Sequence, residues 1–166
     1  FCYPKDNTFK PLWDKATERL VSNETPLSIR EIIELWREPP FGLRNGIIPI
    51  LLLSFILANQ SSVALYLEGN LVLSIDELFL DRFFQNPDIV SIRWIETDSI
   101  STKTLQELAK FIETHKIGSA GTTALEVTKP LVRFAQKLPG WTRRTKELTQ
   151  NARELRDALL NAKDPH

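Results

Sequence analysis

Between Lys129 and Lys146 the chain carries six basic residues, Lys129, Arg133, Lys137, Arg143, Arg144 and Lys146, and no acidic one. On a helix the first three, spaced by four, line up along one face. Leu131, Phe134, Ala135 and Leu138 then make the opposite, core-facing stripe. Pro139-Gly140-Trp141 turns the chain and delivers Arg143 and Arg144 with an aromatic beside them. Cations at such spacing suit a phosphate backbone, because each contact releases condensed counterions. An indole among them can stack on a base, although a Trp behind Pro-Gly is also suited to plugging a core. Three uses of this face stand open: a nucleic-acid surface, a surface for an acidic protein, or a solvated helix face paired with acids elsewhere in the fold.

Acids for such pairing are at hand. Residues 61–100 hold two basic and seven acidic side chains, and residues 101–166 hold twelve basic and seven acidic ones. The whole chain balances 21 against 21, so net charge steers toward neither nucleic acid nor membrane. Its distribution sets an acidic middle against a basic last third.

The other chemistry-bearing residues are thin. Ser119-Ala120-Gly121-Thr122-Thr123 offers hydroxyls and glycine ahead of a helix, where a phosphate could sit; a loop ending in a Thr N-cap explains it equally. His115 precedes Lys116 at a helix end and there complements the helix dipole. Asp76-Glu77 falls in a first helical turn, where acids are favourable for the same reason. A single Cys2 and two histidines leave no disulfide and no zinc set. No catalytic, metal or cofactor site follows, and a reducing, cytoplasmic setting fits. The chain starts at Phe1 and has no methionine, which reads as a piece of a longer polypeptide, and no signal peptide is visible.

At 166 residues, 42% hydrophobic and 25% charged, the composition is that of a globular chain with a real core. The spacing predicts a helix over about 11–21, capped by Asn7 or Thr8, with Leu12, Ala16 and Leu20 inward. Ser28 and Glu31 form a capping box for a second helix carrying Ile29, Ile32, Ile33 and Trp36, which Pro39-Pro40 stops. A third helix runs from Ile47 to Asn59. Val63–Glu68 and Leu71–Leu73 flank Gly69-Asn70 as a hairpin, Ile75–Gln85 returns to helix with Leu78, Phe79, Arg82 and Phe83 in register, and Ile89–Ile95 alternates as a strand. The polar joint Thr97–Ser101 is the best boundary, and helices follow over about 102–115, 123–138 and 149–162.

The stretch "PPFGLRNGIIPILLLSFILANQ" raises its own question, because Ile47 to Ala58 carries no charge. Crossing a bilayer takes about 20 apolar residues, so a membrane role is excluded by length. Reading DNA by this helix also fails, since it offers no Lys or Arg and only Ser54, Asn59 and Gln60. A helix apolar on nearly every face is expected to be buried on nearly every face, covered by the C-terminal helices or by another part of the parent chain. The expected fold is α+β and mostly helical. A winged-helix-like module (three helices, a hairpin wing, a further helix and strand) spans 8–97, and a helical unit spans 98–166.

The run from "PLSIREIIELWREPPFGLRNGIIPILLL" through "VALYLEGN" to "NPDIVSIR", with "LRDALLNAKDP" near the end, resembles a segment of large, poorly characterised bacterial ATPases. In those proteins it lies downstream of a P-loop core. The resemblance covers most of the chain, though its motifs are structural. It implies an internal, non-catalytic module that couples an ATP-driven machine to neighbouring domains, with action on nucleic acid or phage defence as the settings it suggests. No Walker A pattern occurs here, so no nucleotide site carries over and the segment is not expected to bind or hydrolyse ATP. Nucleic-acid binding through the basic face is the alternative.

Overall fold

The computed structural model describes residues 9–95 and 99–162. Among them the chain is an α+β fold, mostly helical, with one small antiparallel sheet. It divides into two compact units that part after Ile95. The expected joint at 97–101 lies partly outside the described residues, and residues 99–101 already belong to a helix.

The first unit opens with α1 (Lys10–Val21), whose Leu12, Ala16 and Leu20 are buried as their spacing predicts, joined by Trp13. Phe9 stands at its N-cap without a side-chain bond; Asn7 and Thr8 lie outside the described residues. α2 (Ile29–Arg37) starts from the predicted capping box: the Ser28 hydroxyl accepts from the Arg30 N–H at 3.2 Å, and the Glu31 carboxylate accepts from the Ser28 N–H at 3.3 Å. Leu27–Ser28 also forms a strand, β1, which the pattern did not reveal. An N-cap residue is extended, so Ser28, at φ −60° and ψ 141°, can close a helix and a sheet edge at once.

α3 (Ile48–Ala58) follows the proline turn, and β2 (Val63–Leu67), β3 (Asn70–Leu71), α4 (Glu77–Gln85), a 3-10 turn (Pro87–Ile89) and β4 (Val90–Trp94) complete the unit. The sheet order is β1-β4-β2-β3, antiparallel throughout, with β2 and β4 paired from Val63↔Trp94 to Leu67↔Val90. The hairpin differs from expectation. Leu67 pairs with Asn70, so the turn residues are Glu68 and Gly69, one position earlier than predicted. Both have positive φ, 51° and 75°, the geometry of the tight turn that matches strand twist. β3 stops at Leu71 because the chain leaves for α4, whose N-cap Asp76 accepts from the Phe79 N–H at 2.8 Å. Leu78 faces outward at 62% exposure while Phe79 and Phe83 enter the core.

All of these elements feed one core. Phe55 of α3 stands edge-on to Trp13 at 5.5 Å and to Trp36 at 6.4 Å, and Ile32, Leu52, Ile56, Val90 and Ile92 close around them. The Trp36 indole N–H reaches the Leu12 carbonyl at 3.1 Å, tying α2 to α1.

The second unit comprises α5 (Ser99–Thr114), α6 (Ala124–Lys137), α7 (Gly140–Arg144) and α8 (Gln150–Leu160), with α6 packed on both α5 and α8. Its buried set is small: Ile112, Leu125, Val127, Val132 and Ala135. The inward stripe of α6 therefore differs from the predicted one. Ala135 is buried, but Phe134 is 44% exposed, and Leu131 and Leu138 are only half-buried. With neighbours on two sides, the buried arc follows Leu125, Val132 and Ala135, a different set of helical positions.

Candidate functional site

α6 and the short turn of α7 carry the basic residues, and the structure separates them. Lys129 stands four residues after the buried Leu125 and three before the buried Val132, on the flank of the core stripe, and is half-buried. Burial, and next the nearby Arg133, hold its ammonium below the usual lysine range; Glu126 opposes this. Arg133, Lys137, Arg143, Arg144 and Lys146 are exposed. Among the described residues, the side chains of Lys137, Arg143, Arg144 and Lys146 make no ion pair and no hydrogen bond.

Trp141 fills no core. It is 76% exposed, more than any other large apolar side chain described. Two arginines of α8 fix the chain just beyond it: the Arg156 guanidinium donates to the Thr145 carbonyl at 2.5 Å, and Arg153 Nε donates to the Leu148 carbonyl at 3.0 Å. Arg156 keeps only 17% of its side chain exposed. In the sequence both belong only to the basic excess, because a bond from one helix to a loop several residues earlier leaves no periodic trace.

Two of the acids in the 61–100 stretch, Asp88 and Asp76, are engaged inside the first unit. Asp88 accepts two bonds from Arg30, from Nε and, at 2.6 Å, from Nη2. The Arg30 hydrogen bonds hold the Asp88 carboxyl below its usual range against a partial opposing cost of burial. Asp76 is occupied as the cap of α4. Arg30 and Asp88 also line an open groove, in which Arg19 and Glu31 form a second pair 3.7 Å apart.

At 119–123 the capping explanation describes what is present. Thr123 Oγ1 accepts from the Glu126 N–H at 3.4 Å, and Glu126 Oε2 accepts from the Thr123 N–H at 3.2 Å. The Glu126 carboxylate lies so close over Gly121 that a Cβ there would collide with it. An acid covering this helix start repels the phosphate that the glycine and hydroxyls would otherwise invite. His115 is exposed and lies against Phe111, ring centroids 4.3 Å apart.

α3 is the second feature. Ile48, Leu52, Phe55 and Ile56 are buried and Leu51, Leu53 and Ala58 pack partly against the core, but Ile50 is 60% and Ile47 is 44% exposed, so the expectation of burial on nearly every face is corrected at the N-terminal end, where these two apolar side chains stay open. Its two polar side chains turn back on the helix: Ser54 Oγ donates to the Ile50 carbonyl at 2.8 Å and Asn59 Nδ2 to the Phe55 carbonyl at 2.9 Å. No described helix is long and apolar enough to cross a membrane, and no group of metal-ligating side chains occurs among the described residues. Comparison with known protein families, curated proteins and solved structures finds no match to this chain.

Proposed function

We propose that this chain is a non-catalytic interaction module of a larger ATP-dependent protein, docked through the outward face of α3 onto another domain of that protein. The exposure of Ile50 carries this reading. Ile47 and Ile50 are open to solvent on a helix with no charged side chain, and Ser54 spends its hydroxyl on its own backbone. Such a face fits an apolar protein surface and offers nothing to a phosphate.

The winged-helix description belongs to the same proposal. It is supported by the connectivity α1-β1-α2-α3-β2 and the sheet order β1-β4-β2, with α3 in the place of a recognition helix. A helix used that way for DNA would carry base-reading side chains, so protein docking is the better use of this one. The test is hydrogen exchange of α3 in the chain alone and in the full-length protein. Docking slows exchange there at least tenfold, and Ile50→Asp abolishes the slowing while leaving the isolated chain folded. Equal exchange in the two contexts refutes the proposal.

A second reading is favoured by a separate observation. The exposed Trp141 beside Arg143 and Arg144, with Lys137 and Lys146 unpaired among the described residues, suits nucleic acid.

A further inference from the structure

We infer that Trp141 is a base-stacking platform for single-stranded nucleic acid, with Lys137, Arg143, Arg144 and Lys146 holding the phosphates around it. This inference rests on the nucleic-acid reading just given and names its ligand class. Exposed apolar side chains are ordinary one at a time. An indole at 76% exposure, set among four cations without described partners, is a different case. Trp141 and Arg144 are three residues apart in α7, hence on the same side of the turn. On α6, Phe134 and Lys137 repeat that spacing, and Phe134 is 44% exposed. Cations and aromatics thus alternate along the chain through Phe134, Lys137, Trp141 and Arg144.

The segment is also held in place. Arg156 and Arg153 anchor the carbonyls of Thr145 and Leu148 directly behind α7, so less order has to be gained when a strand binds. Single strands match this arrangement better than duplexes. A duplex hides the faces of its bases, whereas an unpaired base presents a π-face that an indole can cover whatever its sequence. Reading a duplex would need side chains aimed at base edges in a groove, and α7 spans only Gly140–Arg144, whose outward groups are cationic or aromatic.

The experiment is fluorescence anisotropy with the whole chain and three probes: a labelled oligothymidylate of about 20 bases, a duplex of the same length, and polyglutamate. The oligothymidylate should bind, quench tryptophan fluorescence, and lose affinity with a log-log salt slope of roughly −3, from about −0.7 for each of four cations. Trp141→Ala should weaken binding roughly tenfold or more, and Trp141→Phe should retain most of it. Replacing Arg143 and Arg144 together with alanine should flatten the slope by about 1.4, while Asn59→Ala leaves binding unchanged. Circular dichroism checks that each variant is folded; Trp141 is exposed, so its replacements leave the core intact. Duplex binding as tight as single-strand binding, insensitive to Trp141→Ala, overturns the inference but leaves the basic face a nucleic-acid surface. Binding of polyglutamate alone, or of no probe at about 50 mM salt, overturns both.

Discussion

Replacing Trp36 with phenylalanine tests the construction of the first core most directly. Trp36 is fully buried, is held edge-on by Phe55 at 6.4 Å, and donates its indole N–H to the Leu12 carbonyl at 3.1 Å. Phenylalanine removes that donor. Leu12 lies inside α1, so its carbonyl keeps a helical partner, and the lost bond is worth about 1 kcal/mol rather than the full cost of a stranded acceptor. The smaller ring also leaves a void between α1, α2 and α3, costing a further 1–2 kcal/mol or so by the usual scale of core truncations. The expected loss is about 2–3 kcal/mol, a large share of the roughly 5–15 kcal/mol that holds a typical domain. Urea unfolding should be followed by tryptophan emission in a Trp141→Phe background, where the remaining Trp13 and Trp94 both belong to the first unit, with far-UV circular dichroism reading the whole chain. The midpoint should fall with the slope unchanged. A loss below about 1 kcal/mol would falsify the packing and bonding described for Trp36. Trp141→Phe is the control and should stay within about 0.5 kcal/mol of the parent chain.

Three further outcomes follow from local features. Glu68 occupies a positive-φ turn position that suits asparagine better, so Glu68→Asn should stabilise the first unit by about 0.5 kcal/mol in the same urea assay. The fold disfavours the charged form of Lys129, so the unfolded chain binds more protons there and stability climbs as pH rises from its lowered pKa toward the ordinary lysine range. Lys129→Met should remove that climb and raise stability at neutral pH by about 0.5 kcal/mol, the residual solvent contact keeping the effect small. Asp88 has a dependence of the same sign in the acid range: its depressed pKa gives stability above the ordinary carboxylate range that is lost as pH falls through the lowered value, and Asp88→Asn should flatten this acid limb in thermal melts at several pH values.

What the sequence determined by itself were the features written in local terms. The stripe Leu12, Ala16, Leu20 and the capping box of Ser28 and Glu31 are read over a few residues and survive unchanged, because spacing on a helix and hydrogen bonding at its first turn need no distant partner. The strand at 90–94 is likewise visible in its alternation. Tertiary structure decided the rest. β1 exists only because β4 arrives beside Leu27 and Ser28, more than sixty residues later, and two residues carry no period of their own. The run Ile47–Ala58 is apolar all round, so the pattern could not say which side is covered, and packing against α2 made Ile48 and Leu52 core and left Ile50 in solvent. The six cations formed one face in the sequence, whereas α5 and α8, packed on α6, fixed the buried arc that draws Lys129 in. A periodic pattern specifies which residues share a face; which face meets a neighbour depends on where the other helices lie.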